Sequence, residues 1–133
     1  SDVHVQAAKD ATAQGFVLLK NSPNLLPLNP SQNIALIGPH IYDRHTMLGN
    51  YNGEICPSHG DLQSVYDCVT SFEEGFRTVV KTYGGKIFSS KGCDVYGDKN
   101  VPAFKAALAI AQDADVVIFL GGLNTSLEAE SLD

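Results

Sequence analysis

No apolar run in this 133-residue sequence approaches the roughly 20 residues of a membrane span, so no membrane partner is expected. Basic residues are scarce: nine Lys and Arg stand against fifteen Asp and Glu, for a formal net charge of −6. The basic residues are also scattered, which argues against nucleic acid or an anionic surface as partner. There is no GxGxxG and no GxxxxGK[ST]. Gly38-Pro39-His40 follows an apolar run, but no helical pattern begins promptly after it, so the oriented N–H groups of a nucleotide site are missing. No CxxC occurs among Cys56, Cys68 and Cys93, which argues against a zinc knuckle or a thioredoxin-like site. The odd cysteine count leaves two readings open, one disulfide with a free thiol or three buried thiols. No metal and no cofactor is expected. Ser1-Asp2-Val3-His4 has no basic start and no apolar h-region, so no signal peptide is expected in these residues. Ser1 is not a natural initiator, and the sequence reads as processed or excised.

What remains is enough for a core. At 44% hydrophobic and 18% charged, residues 1–133 suit a single folded domain. Residues 3–14 read as a helix stopped by Gly15. Phe16-Val17-Leu18-Leu19 reads as a short strand, and Leu25 to Pro30 as extended chain, since two prolines forbid a helix there. Ile34-Ala35-Leu36-Ile37 is continuously apolar, as in a parallel-sheet strand buried on both faces. Residues 38–60, rich in Gly and Pro, read as a long irregular loop, and such loops are often functional. Leu62 to Tyr83 reads as helix with a break near Thr70-Ser71. Lys86 to Ser89 is a strand candidate. Val101 to Asp113 is a helix with Phe104, Ala107, Leu108 and Ala111 on one face. Asp115 to Leu120 is the last strand. Strands alternating with helices predict an α/β fold, a three-layer α/β/α sandwich around a mainly parallel sheet. The pattern reads as incomplete at its C-terminal end.

The most informative segment is Gly121 to Asp133. A buried strand that breaks at two glycines and empties into an acidic loop lies where open α/β sheets hold their ligands, outside the carboxyl ends of the strands. Glu128 and Glu130, two residues apart, point in different directions on an extended chain. One can enter a cleft and act as a proton donor while the other stays wet. The plainer reading is a helix N-terminus capped by Thr125 or Ser126, with the acids favoured by the helix dipole. Asn124-Thr125-Ser126 is also a glycosylation sequon, whose glycan would crowd Glu128, so it is expected to be unused. His40 and His45 flank Asp43, and His59 follows in the same segment. They read as solvated loop histidines, or as lining a pocket with Tyr51. Leu48-Gly49-Asn50-Tyr51-Asn52-Gly53 suits either stacking on a sugar or a tight turn.

Taken in order, these segments resemble a known family. Gly15 to Asn21, Leu26-Pro27-Leu28, Ile34 to Pro39, Leu48 to Gly53, Gly92-Cys93, Ala114 to Ile118 and Leu123 to Glu130 are similar to the C-terminal α/β domain of glycoside hydrolase family three. Cys56 after the GNYNG segment, and Ser126-Leu127-Glu128-Ala129-Glu130, resemble the β-xylosidase branch, while residues 61–86 depart most from the pattern. The resemblance implies an exo-acting, retaining β-glycosidase of β-xylosidase or β-glucosidase type, acting on a β-linked sugar or oligosaccharide. It implies an active site shared with a (β/α)8 barrel that carries the aspartate nucleophile and is not in these residues. Glu128 would be the acid/base, with Glu130 the alternative, and His40, Asn50 and Tyr51 are candidates to meet the sugar. Alone, the chain is expected to be inactive and to self-associate. The family favours a secreted protein. The rival reading is a binding or structural protein that kept the sandwich and lost catalysis.

Overall fold

The computed structural model describes residues 1–49, 51–56, 66–97, 101–130 and 132. Six elements alternate along the chain: α1 (Asp2–Gly15), β1 (Asn33–Ile37), α2 (Phe72–Thr82), β2 (Lys86–Ser90), α3 (Val101–Gln112) and β3 (Val116–Phe119). The strands form an open parallel sheet in the order β2-β1-β3. The fold is α/β.

β1 sits in the middle, which is why its sequence is apolar without interruption. Ile34, Ala35 and Leu36 are fully buried. The register sets Ile34 between Ile87 and Val116, and Leu36 between Ser89 and Ile118. That face packs on Val80 and Phe76 of α2, on Ile41, and on Leu28 and Leu120. Each fully buried aliphatic side chain here contributes roughly 1.5–3 kcal/mol. The opposite face carries Ala35 and Ile37 and receives α3 through Ala107. The approach there is close: a Cβ on Gly92 would lie 3.0 Å from the Ala107 Cβ and 3.3 Å from Ile37 Cγ2. Helices therefore cover both faces, giving the three layers. At the far end of the sheet, Asn33 and Asp115 align β1 with β3. The Asn33 N–H donates to Asp115 Oδ2 at 2.8 Å and the Asp115 N–H to Asn33 O at 2.9 Å.

α2 starts where the sequence breaks. Ser71 caps it: its hydroxyl accepts from the Glu74 N–H at 3.3 Å, and the Glu74 carboxylate accepts from the Ser71 N–H at 2.8 Å. This reciprocal box satisfies two donors that a helix start otherwise leaves bare. The helix expected across Leu62 to Tyr83 is thus shorter. Tyr66 to Val69 form turns, and residues 57–65 lie outside the described part.

Phe16 to Leu19 do not form a strand. They run as irregular, exposed chain, with Leu19 91% exposed. An apolar run becomes a strand only where a neighbour can complete its hydrogen bonds, and no strand lies beside it among the described residues. α1 forms as read but buries none of its side chains. One of the two cysteine readings is realised: Cys56 and Cys68 are joined, with Cα atoms 5.7 Å apart, and Cys93 is a free, exposed thiol.

Candidate functional site

The strand exits are sewn together at the carboxyl edge of the sheet. Leu120 N–H donates to Ile37 O at 2.7 Å, His40 N–H to Leu120 O at 3.3 Å, and Gly38 N–H to Lys91 O at 3.0 Å. Gly38 permits this. Its φ is +130°, and a Cβ there would lie 2.3 Å from Leu120 O. Only glycine lets the chain leaving β3 pass so near the chain leaving β1.

His40 follows that crossing and is 4% exposed, so it is not a solvated loop histidine. Its Nε2 lies 2.9 Å from Gly122 O, and its Nδ1 lies 3.4 Å from Asp43 Oδ2. Since a carbonyl only accepts, the proton in that contact resides on Nε2. Asp43 is itself pinned. Its Oδ1 accepts from the N–H groups of His45 (2.9 Å) and Thr46 (3.2 Å), and its Oδ2 accepts from the Thr46 hydroxyl. Burial pushes its pKa up, but the Thr46 hydroxyl, the Thr46 N–H, the facing His40 ring and the His45 N–H together more than offset that. The net pKa lies below the ordinary carboxylate value. His45 turns elsewhere, its ring centroid 4.9 Å from that of Tyr66. His59 and Asn50 lie outside the described residues.

The acidic loop leaves β3 through Gly121-Gly122 and turns first at Asn124. Asn124 organises it. Its Oδ1 accepts from the Ser126 N–H at 3.1 Å and hydroxyl at 2.6 Å, and its carbonyl accepts from the N–H groups of Leu127 (2.9 Å) and Glu128 (3.0 Å). The plainer expectation of a capped helix is corrected here: the capping side chain is Asn124, not Thr125 or Ser126, and no helix follows among the described residues. Asx turns of this kind give the backbone an alternative to helix. The Glu128 side chain is exposed, and its carboxylate makes no hydrogen bond among the described residues. Glu130 is engaged, because Tyr51 donates its phenol proton to Glu130 Oε2. That bond raises the Tyr51 pKa, since losing the proton would set phenolate against carboxylate.

A cavity of about 260 Å³ opens at this edge, between Thr46, Met47 and Phe72 on one side and Gly121 to Leu123 on the other, with His40 in its lining. Arg44 ties the loop after β1 to the start of α2, donating to Asp67 O at 2.8 Å and pairing with Glu74. The structure thus brings His40, Tyr51 and Glu130 of the sequence candidates onto one loop system with Glu128. Arg44 and the Asn124 turn escaped the sequence reading. Asn-x-Ser was legible as an Asx turn, but nothing in the spacing of Arg44 and Glu74, thirty residues apart, marks a pair.

The model of the glycosyl hydrolase family 3 C-terminal domain matches residues 16–133. The chain belongs to this family. Beta-D-xylosidase 1 of Arabidopsis thaliana is 34% identical over 98% of the chain and 15% of its own length. The exo-1,4-beta-xylosidase xlnD of Aspergillus niger is 38% identical over 92% of the chain and 14% of its own length. A beta-xylosidase/alpha-L-arabinofuranosidase of Medicago sativa is 37% identical over 96% of the chain and 15% of its own length. The family 3 domain described here therefore spans about one seventh of the curated relatives it matches.

Proposed function

We propose that this chain is the acid/base-bearing domain of a retaining, exo-acting β-glycosidase of β-xylosidase or β-glucosidase type. One observation carries the reading. The loop leaving β3 presents Glu128 exposed and, among the described residues, unpaired at the carboxyl edge of the sheet, while its rival Glu130 is held by Tyr51. The xylosidases among the relatives give the substrate class, β-linked sugars. Glu128 protonates the departing glycosidic oxygen as a carboxylate elsewhere attacks the anomeric carbon. It then takes a proton from the water that releases the sugar. The nucleophile belongs to a (β/α)8 barrel outside these residues, set so that the two carboxyl groups stand about 5 Å apart. Tyr51 and Asn50 contact the sugar from this side of the cleft. His40, being buried, serves the same site from behind the loop. Without the barrel the chain has one carboxylate of two and does not turn over.

Two assays test this. The 133-residue chain alone is expected to leave aryl β-xylosides and β-glucosides intact. Turnover that disappears in Glu128→Gln would overturn the need for a barrel. In a fusion to a family barrel, Glu128→Gln is expected to lower kcat/KM on unactivated disaccharides by about 10²–10⁴-fold. Activated nitrophenyl glycosides should suffer less in the glycosylation step, since their leaving groups need little protonation. An unchanged rate on disaccharides would move the chain to the non-catalytic, binding or structural reading. A larger loss in Glu130→Gln than in Glu128→Gln would transfer the acid/base role to Glu130.

A further inference from the structure

We infer that His40 is a positioning residue for the acidic loop, holding its root at Gly122 so that Glu128 is presented in one place. The inference rests on the proposed acid/base role of the loop. The need arises at the neck. Gly121 and Gly122 give the chain leaving β3 the widest backbone freedom of any residue pair, and Gly122 adopts φ +151°. A carboxyl group six residues beyond such a neck would sweep a large volume unless something fixed it. The structure provides a fastening at each end. At the tip, Tyr51 donates to Glu130. At the root, the His40 Nε2–H reaches Gly122 O at 2.9 Å from a ring that is almost wholly buried.

The ring is confined by burial, at 4% exposure. Its second nitrogen lies 3.4 Å from Asp43 Oδ2 and makes no hydrogen bond, while Asp43 itself is fixed by the N–H groups of His45 and Thr46 and by the Thr46 hydroxyl. Rotating the ring would break the Gly122 contact. The backbone of His40 is anchored separately by its N–H bond to Leu120 O. The side chain therefore adds a constraint on Gly122 that the backbone crossing does not supply. Among the described residues the ring's hydrogen bond to the loop is the one to Gly122 O, so its effect on Glu128 is one of placement.

Amide ¹⁵N relaxation on the full 133-residue chain tests this by comparing wild type with His40→Leu and His40→Gln. Leucine keeps the bulk and removes the donor. Glutamine returns an N–H near the position of Nε2. In wild type the order parameters of Leu123 to Glu128 should approach the rigid value of about 0.85, and in His40→Leu they should fall below about 0.6. β1 and α2 should be unchanged, and His40→Gln should restore the wild-type values. Loop order unchanged in His40→Leu would overturn the inference, as would equal loosening in both variants or loosening shared by β1. A second readout uses wild type alone, and so survives a variant that fails to fold. The imidazole ¹⁵N spectrum should show the proton of His40 on Nε2, and a ring protonated on Nδ1 alone would overturn the inference. No readout involves turnover, so the result stands apart from the acid/base assignment.

Discussion

Gly38 shows how much one missing side chain decides. Its φ and the 2.3 Å approach that a Cβ would make to Leu120 O mean that alanine there meets backbone, which cannot step aside. Gly38→Ala is expected to cost upwards of about 2 kcal/mol, combining backbone strain with a steric clash. Chemical denaturation monitored by circular dichroism would read it, and an unchanged midpoint would contradict the crossing described above. The sequence marked Gly38-Pro39 as the end of a strand but could not show what the glycine makes room for, because Leu120 lies more than eighty residues away. His40 was hidden for the same reason. A histidine in a Gly- and Pro-rich loop reads as solvated, and only the pairing of β1 with β3 drops it under Gly122. Glu128 and Glu130 were legible as a pair of acids after a strand. Their different surroundings were not, since these depend on Tyr51 arriving from another loop.

Among the elements, β1 could be read from its apolar run Ile34 to Ile37, because a strand buried on both faces needs apolar residues at every position, and β2, α3 and β3 also lie where the sequence was read to place them. Phe16 to Leu19 share that pattern and form no strand, since pattern reports fitness for a sheet and not the presence of a neighbour. The start of α2 was visible as a break, and its Ser71-x-x-Glu74 box supplies the cause. Ser71→Ala should cost about 1 kcal/mol and shorten α2 at its first turn, as seen by a lower thermal midpoint and faster exchange of the Glu74 amide. The box is also sensitive to acid. Hydrogen bonds from the Ser71 N–H and hydroxyl, with the charge of Arg44, hold the Glu74 pKa below its ordinary value despite some desolvation. A depressed carboxylate contributes stability that is present above its unfolded pKa and lost as pH falls through the folded one. Exchange at the start of α2 should therefore accelerate below about pH 4, ahead of β1. Simultaneous loss of both would refute a local origin.

At the scale of the whole molecule, the packing is uneven. One face of the sheet is closed by α2. The other is covered by α3 near β1 and β2, while Phe119 and Phe104 remain 64% and 63% exposed on either side of an apolar groove of about 340 Å³. Val117 and Leu108 are half-exposed on the same side, and Phe16 to Leu19 add a second bare apolar stretch. Contiguous apolar surface on this scale tends to be covered by another surface. The isolated chain is accordingly expected to self-associate as concentration rises through the micromolar range, with Phe119→Ser and Phe104→Ser weakening the association. Sedimentation velocity would show it, and a single monomer boundary at every concentration would count against it.

The Cys56–Cys68 link has a practical corollary. It closes a loop of twelve residues' separation between the segment bearing Tyr51 and the approach to α2, a closure expected to contribute roughly 2–4 kcal/mol. Protein expressed in a reducing cytosol would emerge without this staple, and with three thiols free to pair wrongly during purification, the accessible Cys93 among them. Preparations from an oxidising compartment would be a different chemical species. Thiol titration before any assay would tell the two batches apart.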